Sequence, residues 1–193
     1  MAIKYCNILP CVAFAGVMSL TVSGNNALAT DSGSKAGPAL YSQLETFHGH
    51  VCAGSIFGAR LGLAATEALK SAGGTGKFTA RYYDLSCPVD GIQVSAGTTY
   101  GNKALTVQDR DEHRLVLTAA GNGRSVEVRL TKKAEEAGLM SRNLGEKAKL
   151  HPNNSPTRLQ LEREVEAIYT WLRSAPAADV LIVSTLNNHK KRD

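Results

Sequence analysis

Cysteine is scarce in this chain, four among 193 residues, and no two of the four form a C-x-x-C pair. That absence excludes a thioredoxin-like motif and a zinc knuckle built on paired cysteines; with no C-x-x-C-H, the usual covalent haem attachment is excluded too. No G-x-x-x-x-G-K-[ST] is present, and no strand leads into Gly73-Gly74-Thr75-Gly76, so there is no phosphate loop. The formal charge of +5 is mild and spread out. Lys132-Lys133 and Lys190-Lys191-Arg192 are the only basic runs, both read as solvated, and no aromatics interleave with them. A nucleic-acid surface is therefore not expected. Internal repeats and low-complexity segments are also missing.

What is present begins with an export signal over residues 1–29. Lys4 supplies a positive start, Ile8 to Val22 is largely apolar, and Ala27-Leu28-Ala29 is a small-residue cleavage pattern before Thr30. The apolar run is too short and interrupted to span a bilayer, although a retained anchor is the alternative. Cleavage after Ala29 would place the mature chain in the periplasm or outside the cell. It would also remove Cys6 and Cys11, leaving Cys52 and Cys87. Residues 30–38 read as a flexible polar leader, and residues 39–193 as one domain with a real core.

The mature chain is organised around Phe47-His48-Gly49-His50-Val51-Cys52-Ala53-Gly54. Histidines at i and i+2 would sit about 200° apart on a helix. In an extended segment they share a side, so His48, His50 and Cys52 are expected on an extended turn, aimed at one point. Leu40, Leu44 and Phe47 predict a short helix leading into it. From Gly54 to about Ala72 a helical pattern follows, ending at Gly73-Gly74. Cys52 then stands before a helix N-terminus, where thiolate is favoured over thiol. Gly54, Gly58 and Gly62 form a bare stripe that invites a close backbone, from a second chain in a dimer or from within the same chain. Arg60, Glu67 and Lys70 interrupt the run and exclude a membrane-helix reading.

Lys77 to Asp84 is β-prone, and Pro88 suits the first turn of another short helix. Cys87, like Cys52, then precedes a helix N-terminus. The pair fits a shared site, and one disulfide fits equally well. Segments 104–109, 113–119 and 124–130 read as strands, with Gly121-Asn122-Gly123 a hairpin turn. Helix is expected from Thr131, broken at Gly138, then a loop at 152–156 and a helix over Leu159 to Leu172. Asp179 to Thr185 reads as a last strand, buried on both sides. Asp90 and Gln93 suit the support of an imidazole, and Asp90 equally suits a helix cap. Arg60 is read as an anion contact or a salt-bridged helix residue. Tyr82, Tyr83 and Tyr100 are read as packing, and His113, His151 and His189 as surface.

Three blocks carry a resemblance. Phe47-His48-Gly49-His50-x-Cys52-x-Gly54-x-x-x-Gly58-x-Arg60-x-Gly62 resembles the opening motif of the formylmethanofuran dehydrogenase FmdE family. Cys87-Pro88-Val89-Asp90-Gly91-Ile92-Gln93 is similar to its second block, and Gly97-Thr98-Thr99-Tyr100-Gly101-Asn102-Lys103-Ala104-Leu105 to its third. Together they cover about residues 42–130. The resemblance implies an α+β fold, one domain with a mixed or antiparallel sheet packed with helices, which often forms homodimers. It also implies a metal site on His48, His50, Cys52 and Cys87. The chain departs from the family at Thr98, where a cysteine is usual, and at Ala53, where the family has proline. It also has no cysteine in residues 131–193, so the zinc finger that some members append is missing.

The expected function is an exported metal-binding protein of this type, a metal-dependent enzyme or a redox-associated protein acting on a small-molecule ligand or redox partner. Mixed nitrogen and sulfur donors suit zinc first, with iron, nickel or copper next and hard cations disfavoured. The alternatives are a non-catalytic module binding metal or haem, with His48 or His50 as a non-covalent axial ligand, and a structural Cys52–Cys87 disulfide without metal.

Overall fold

The computed structural model describes residues 37–186, so the expected export segment, nearly all of the leader and His189 lie outside the described residues. The described chain runs α1 (Pro38–His48), α2 (Ala53–Ser71), β1 (Phe78–Tyr83), α3 (Pro88–Ala96), β2 (Leu105–Val107), β3 (Glu112–Ala119) and β4 (Ser125–Leu130). It continues with α4 (Lys132–Lys149), α5 (Pro156–Ser174), a short α6 (Ala177–Val180) and β5 (Leu181–Leu186). This is the expected α+β domain. Its one sheet is mixed, in the order β2-β1-β3-β4-β5, with β1 and β2 parallel and every other pair antiparallel.

α2 is the central element. Ile56, Ala59, Leu61, Ala65 and Leu69 are fully buried and reach the sheet's inner face, where Tyr82, Leu115, Leu117, Val126 and Val128 meet them. Burying a large aliphatic side chain contributes about 1.5–3 kcal/mol, so this layer dominates the stability. α2 packs across β3, β4 and β5, with α3 along one side and α5 on another. The opposite face of the sheet is open to solvent through Thr79, Arg81, Arg129 and Ser184. No helix among the described residues is long and apolar enough to cross a membrane.

Three expectations need correction. Helix α4 runs through Gly138, because that glycine lies beneath Phe57; a Cβ there would come within 2.7 Å of the Phe57 ring. The glycine serves close packing, and the helix has no reason to break. β5 is an edge strand with half-open faces, and Ile182 is 51% exposed. An apolar run alone does not distinguish a central strand from an edge. The strand expected at 104–109 is only three residues long and lies beside β1, so β1 separates it from β3. The hairpin at Gly121-Asn122-Gly123 forms as expected, with Gly123 at φ +68° and Thr118 paired with Ser125.

Candidate metal centre

The His-x-His-x-Cys segment joins α1 to α2, and it is not extended throughout. His48 is the last helical residue of α1, and Gly49 follows in the left-handed region at φ +87°, its N–H donated to the Glu45 carbonyl at 2.8 Å. That cap, which glycine adopts without Cβ strain, reverses the chain and brings His50 back beside His48. Their ring centroids lie 4.8 Å apart. The ligand atoms of His48, His50 and Cys52 all lie within 4.8 Å of one another. The three converge as expected, but a helix C-cap produces the convergence in place of strand alternation.

Cys52 is the N-cap of α2, with extended backbone at φ −136° and ψ 170°. Its Sγ accepts from the Ser55 N–H at 3.4 Å, while its own N–H donates to Ser55 Oγ at 2.9 Å. This is a capping box with sulfur in the place of an oxygen. The role of Ser55, fully buried, is not evident from the sequence because cysteine is not a usual cap. The spacing of three residues is the signal that points to it.

α3 supplies the support. Asp90 Oδ2 lies 2.6 Å from His48 Nδ1, and Asp90 Oδ1 accepts from Gln93 Nε2 at 3.2 Å. Gln93 Oε1 in turn accepts from the Tyr100 N–H at 3.0 Å. With the Nδ1 proton donated to Asp90, the lone pair of His48 sits on Nε2, 3.9 Å from Cys52 Sγ. A carboxylate on the far nitrogen fixes the tautomer and raises the basicity of a ligating histidine. Asp90 also stands in the first turn of α3, so the imidazole and cap readings share one residue.

Cys87 adjoins this group from the α3 side. A Cβ on Gly54 would lie 2.8 Å from Cys87 Cβ and 3.8 Å from Cys52 Sγ. Both cysteines are free thiols and half-buried. The sequence predicts a thiolate at Cys87, but burial, and then the neighbouring Cys52, push its pKa up. A backbone hydrogen bond lowers it by less, so the net shift is upward.

The glycine stripe is filled within the chain. A Cβ on Gly58 would meet the Pro88 carbonyl oxygen at 2.0 Å, one on Gly62 would meet Ser95 Oγ at 2.0 Å, and one on Gly91 would meet the Ser55 carbonyl oxygen at 2.4 Å. α2 and α3 touch backbone to backbone, and this holds Cys52, Cys87 and Asp90 in fixed register.

Other expected residues fall elsewhere. Arg60 is fully buried, and its guanidinium is spent on backbone carbonyls, with no ion pair among the described residues. Its Nη1 donates to the carbonyls of Leu172 and Arg173, and its Nη2 to that of Ala175, so it caps the C-terminus of α5. Thr98 is buried just past the far end of α3, and its Oγ1 has no hydrogen-bond partner among the described residues. Nine residues of helix, about 13 Å, separate it from the end that carries Cys87. His113, expected at the surface, is half-buried; its Nδ1 lies 2.9 Å from Tyr82 Oη and 3.3 Å from Asp84 Oδ2. Tyr82 and Tyr83 pack as expected, the latter under the Arg114 guanidinium, whereas Tyr100 is 77% exposed.

The donors fit a soft or borderline transition metal: two imidazoles and one or two sulfurs, with Asp90 engaged by His48 and so not competing as a hard ligand. Residues 47–182 match the family described as FmdE, molybdenum formylmethanofuran dehydrogenase operon. The chain belongs to the FmdE family. The FmdE match extends beyond the three sequence blocks, through α5 to the start of β5. No curated protein matches the chain. Among solved structures it is similar to a tungsten formylmethanofuran dehydrogenase FmdE-like protein from Syntrophus aciditrophicus, at 21% identity and a TM-score of 0.50. That similarity covers 77% of this chain and 71% of the other, and it bears on the fold alone.

Proposed function

We propose that this FmdE-family protein is an exported metal-binding protein that holds one transition metal, preferably zinc, on His48, His50 and Cys52, with Cys87 as the fourth donor. One observation carries the reading. Three soft donor groups lie within 4.8 Å of one another, and the first of them is already oriented by Asp90. Both imidazole and thiolate suit zinc.

His50 is exposed, so the site opens to solvent on its side. With three protein donors and a water, a bound zinc would act as a Lewis acid toward a small ligand; with Cys87 engaged as well, the site closes and becomes structural. The residues divide the work accordingly. Asp90 holds the proton on His48 Nδ1, Ser55 fixes the Cys52 sulfur at the start of α2, and Cys87 decides whether the fourth position is filled.

Export rests on the residue 1–29 pattern, and mass analysis of native protein should find Thr30 as the first residue. Homodimerisation rests on family membership, since α3 occupies the glycine stripe. Sedimentation should show two chains at micromolar concentration, and a monomer throughout would count against it.

The test of the site is metal analysis with an absorption spectrum of protein purified under reducing conditions. Zinc at one per chain in a colourless protein is expected. A haem or iron–thiolate band would replace zinc, and metal-free protein that takes up none on reconstitution would overturn the reading.

A further inference from the structure

Cys52 and Cys87 open α2 and α3, and these two helices cannot slide past each other. Gly58 and Gly91 bring backbone against backbone, with no room for a Cβ on either side. The two cysteines border one spot, with Cys87 Cβ 2.8 Å and Cys52 Sγ 3.8 Å from the place that a Gly54 Cβ would occupy, and Cys52 acts on the Cys87 thiol as a near neighbour. A side chain on Gly54 would crowd both cysteines; its absence leaves them room beside each other. Both are half-buried and free, so a small reagent has access to the pair. Cys52 is also part of the donor group with His48 and His50.

From this geometry we infer that Cys52 and Cys87 form a redox gate on the metal site: as two thiols they leave Cys52 able to hold the metal, and as one disulfide they withdraw it. The inference rests on the metal reading above. The oxidant is a small disulfide, and the reaction is thiol–disulfide exchange. One cysteine sulfur attacks the small disulfide, forming a mixed disulfide and releasing one small thiol. The other cysteine then displaces the second small thiol as the Cys52–Cys87 bond forms. Two protein thiols lose two electrons and two protons, which the small disulfide gains; where zinc has already displaced a thiol proton, zinc leaves in its place and water supplies the proton of the released small thiol. A disulfide sulfur carries no negative charge and is a poor ligand, because the thiolate is the metal-binding form. The histidines alone then retain the metal weakly. A small disulfide would empty the site and a reducing partner would restore it. Fixed helix register favours the closure, because the second thiol already stands beside the first.

The experiment takes the full mature chain, reduced and loaded with zinc, and adds oxidised glutathione. Zinc release is followed with a chromogenic chelator, and the cysteines are mapped by non-reducing peptide analysis. One zinc should leave for each Cys52–Cys87 link formed, and dithiothreitol should restore binding. In Cys87→Ser the mixed disulfide on Cys52 has no neighbouring thiol to close on and is reversed by free glutathione, so in a glutathione redox buffer zinc release should need an at least ~tenfold higher ratio of oxidised to reduced glutathione than in the parent. A Cys52–Cys87 link that forms with zinc retained would overturn the gate. So would release that leaves glutathione on single cysteines of the parent, or a Cys87→Ser variant emptied at the same ratio of oxidised to reduced glutathione. Reduced protein that takes up no zinc overturns the metal reading and the gate together; protein that binds zinc and keeps it on oxidation overturns the gate alone.

Discussion

His48 and Asp90 stand 2.6 Å apart, Nδ1 to Oδ2, one at the C-terminal end of α1 and the other in the first turn of α3. The contact joins residues 42 positions apart and commits the other ring nitrogen, Nε2, to the side where Cys52 lies. Asp90→Asn keeps the size but loses the charge, and it can present an amide N–H where the imidazole expects an acceptor. Zinc affinity should fall about 10–100-fold, the usual effect of removing a ligand's hydrogen-bond partner. Thermal stability of the metal-free protein should change little, since the pair is only part-buried. Equal affinity in a zinc titration of parent and variant would remove Asp90 from the site.

The backbone contact between α2 and α3 makes a contrasting pair of predictions. Gly58→Ala would put a Cβ 2.0 Å from the Pro88 carbonyl oxygen, so the helices must part; overpacking of this kind costs about 1–3 kcal/mol or more. Gly145, inside α4, has nothing within 4 Å of its absent Cβ, and Gly145→Ala should gain up to about 1 kcal/mol from helix propensity. Chemical denaturation of both variants checks this, and equal midpoints would contradict the packing.

Arg60 should matter for stability and not for chemistry. Arg60→Met leaves the carbonyls of Leu172, Arg173 and Ala175 without their donor at the end of α5. Losing charge-assisted bonds from a buried site is expected to cost about 3–5 kcal/mol. Zinc taken up per folded chain should stay the same. A variant as stable as the parent but defective in binding would return Arg60 to the site.

The Cys87 thiol sets a pH dependence. Burial, and then Cys52, raise its pKa in the folded chain above that of the unfolded chain. The folded state therefore holds this proton to higher pH. The resulting stability is fully present below the ordinary thiol value and is lost as pH rises through the raised one. Urea midpoints of metal-free protein should decline over that alkaline window, and Cys87→Ser should flatten the decline. Zinc displaces the same proton, so zinc affinity should climb with pH across the neutral range.

Much of this architecture is legible in the sequence. Pro88 and Gly121-Asn122-Gly123 mark their elements through local chemistry, and the structure keeps them. His48, His50 and Cys52 are legible as a group because three soft ligands at alternate positions are rare. The route by which they meet is not, since Gly49 reads equally as an extended link or a left-handed cap. Long-range relationships are hidden for a simple reason. That Arg60 reaches α5, that Gly58 faces Pro88, or that β1 parts β2 from β3 depends on tertiary pairing that no local spacing encodes. Thr98 is legible only as a departure from the family. Its burial beyond the far end of α3 emerges with the fold.

Metal binding at the His-x-His-x-Cys turn is tested most sharply by equilibrium zinc binding to reduced, metal-free protein, comparing the parent with Cys52→Ser and His113→Ala. Cys52 lies within the donor group, whereas His113 is engaged by Tyr82 and Asp84 outside it. One zinc per chain is expected for the parent and for His113→Ala, with loss of most of the zinc in Cys52→Ser. Full zinc occupancy in Cys52→Ser, or none in the parent, would contradict the assignment.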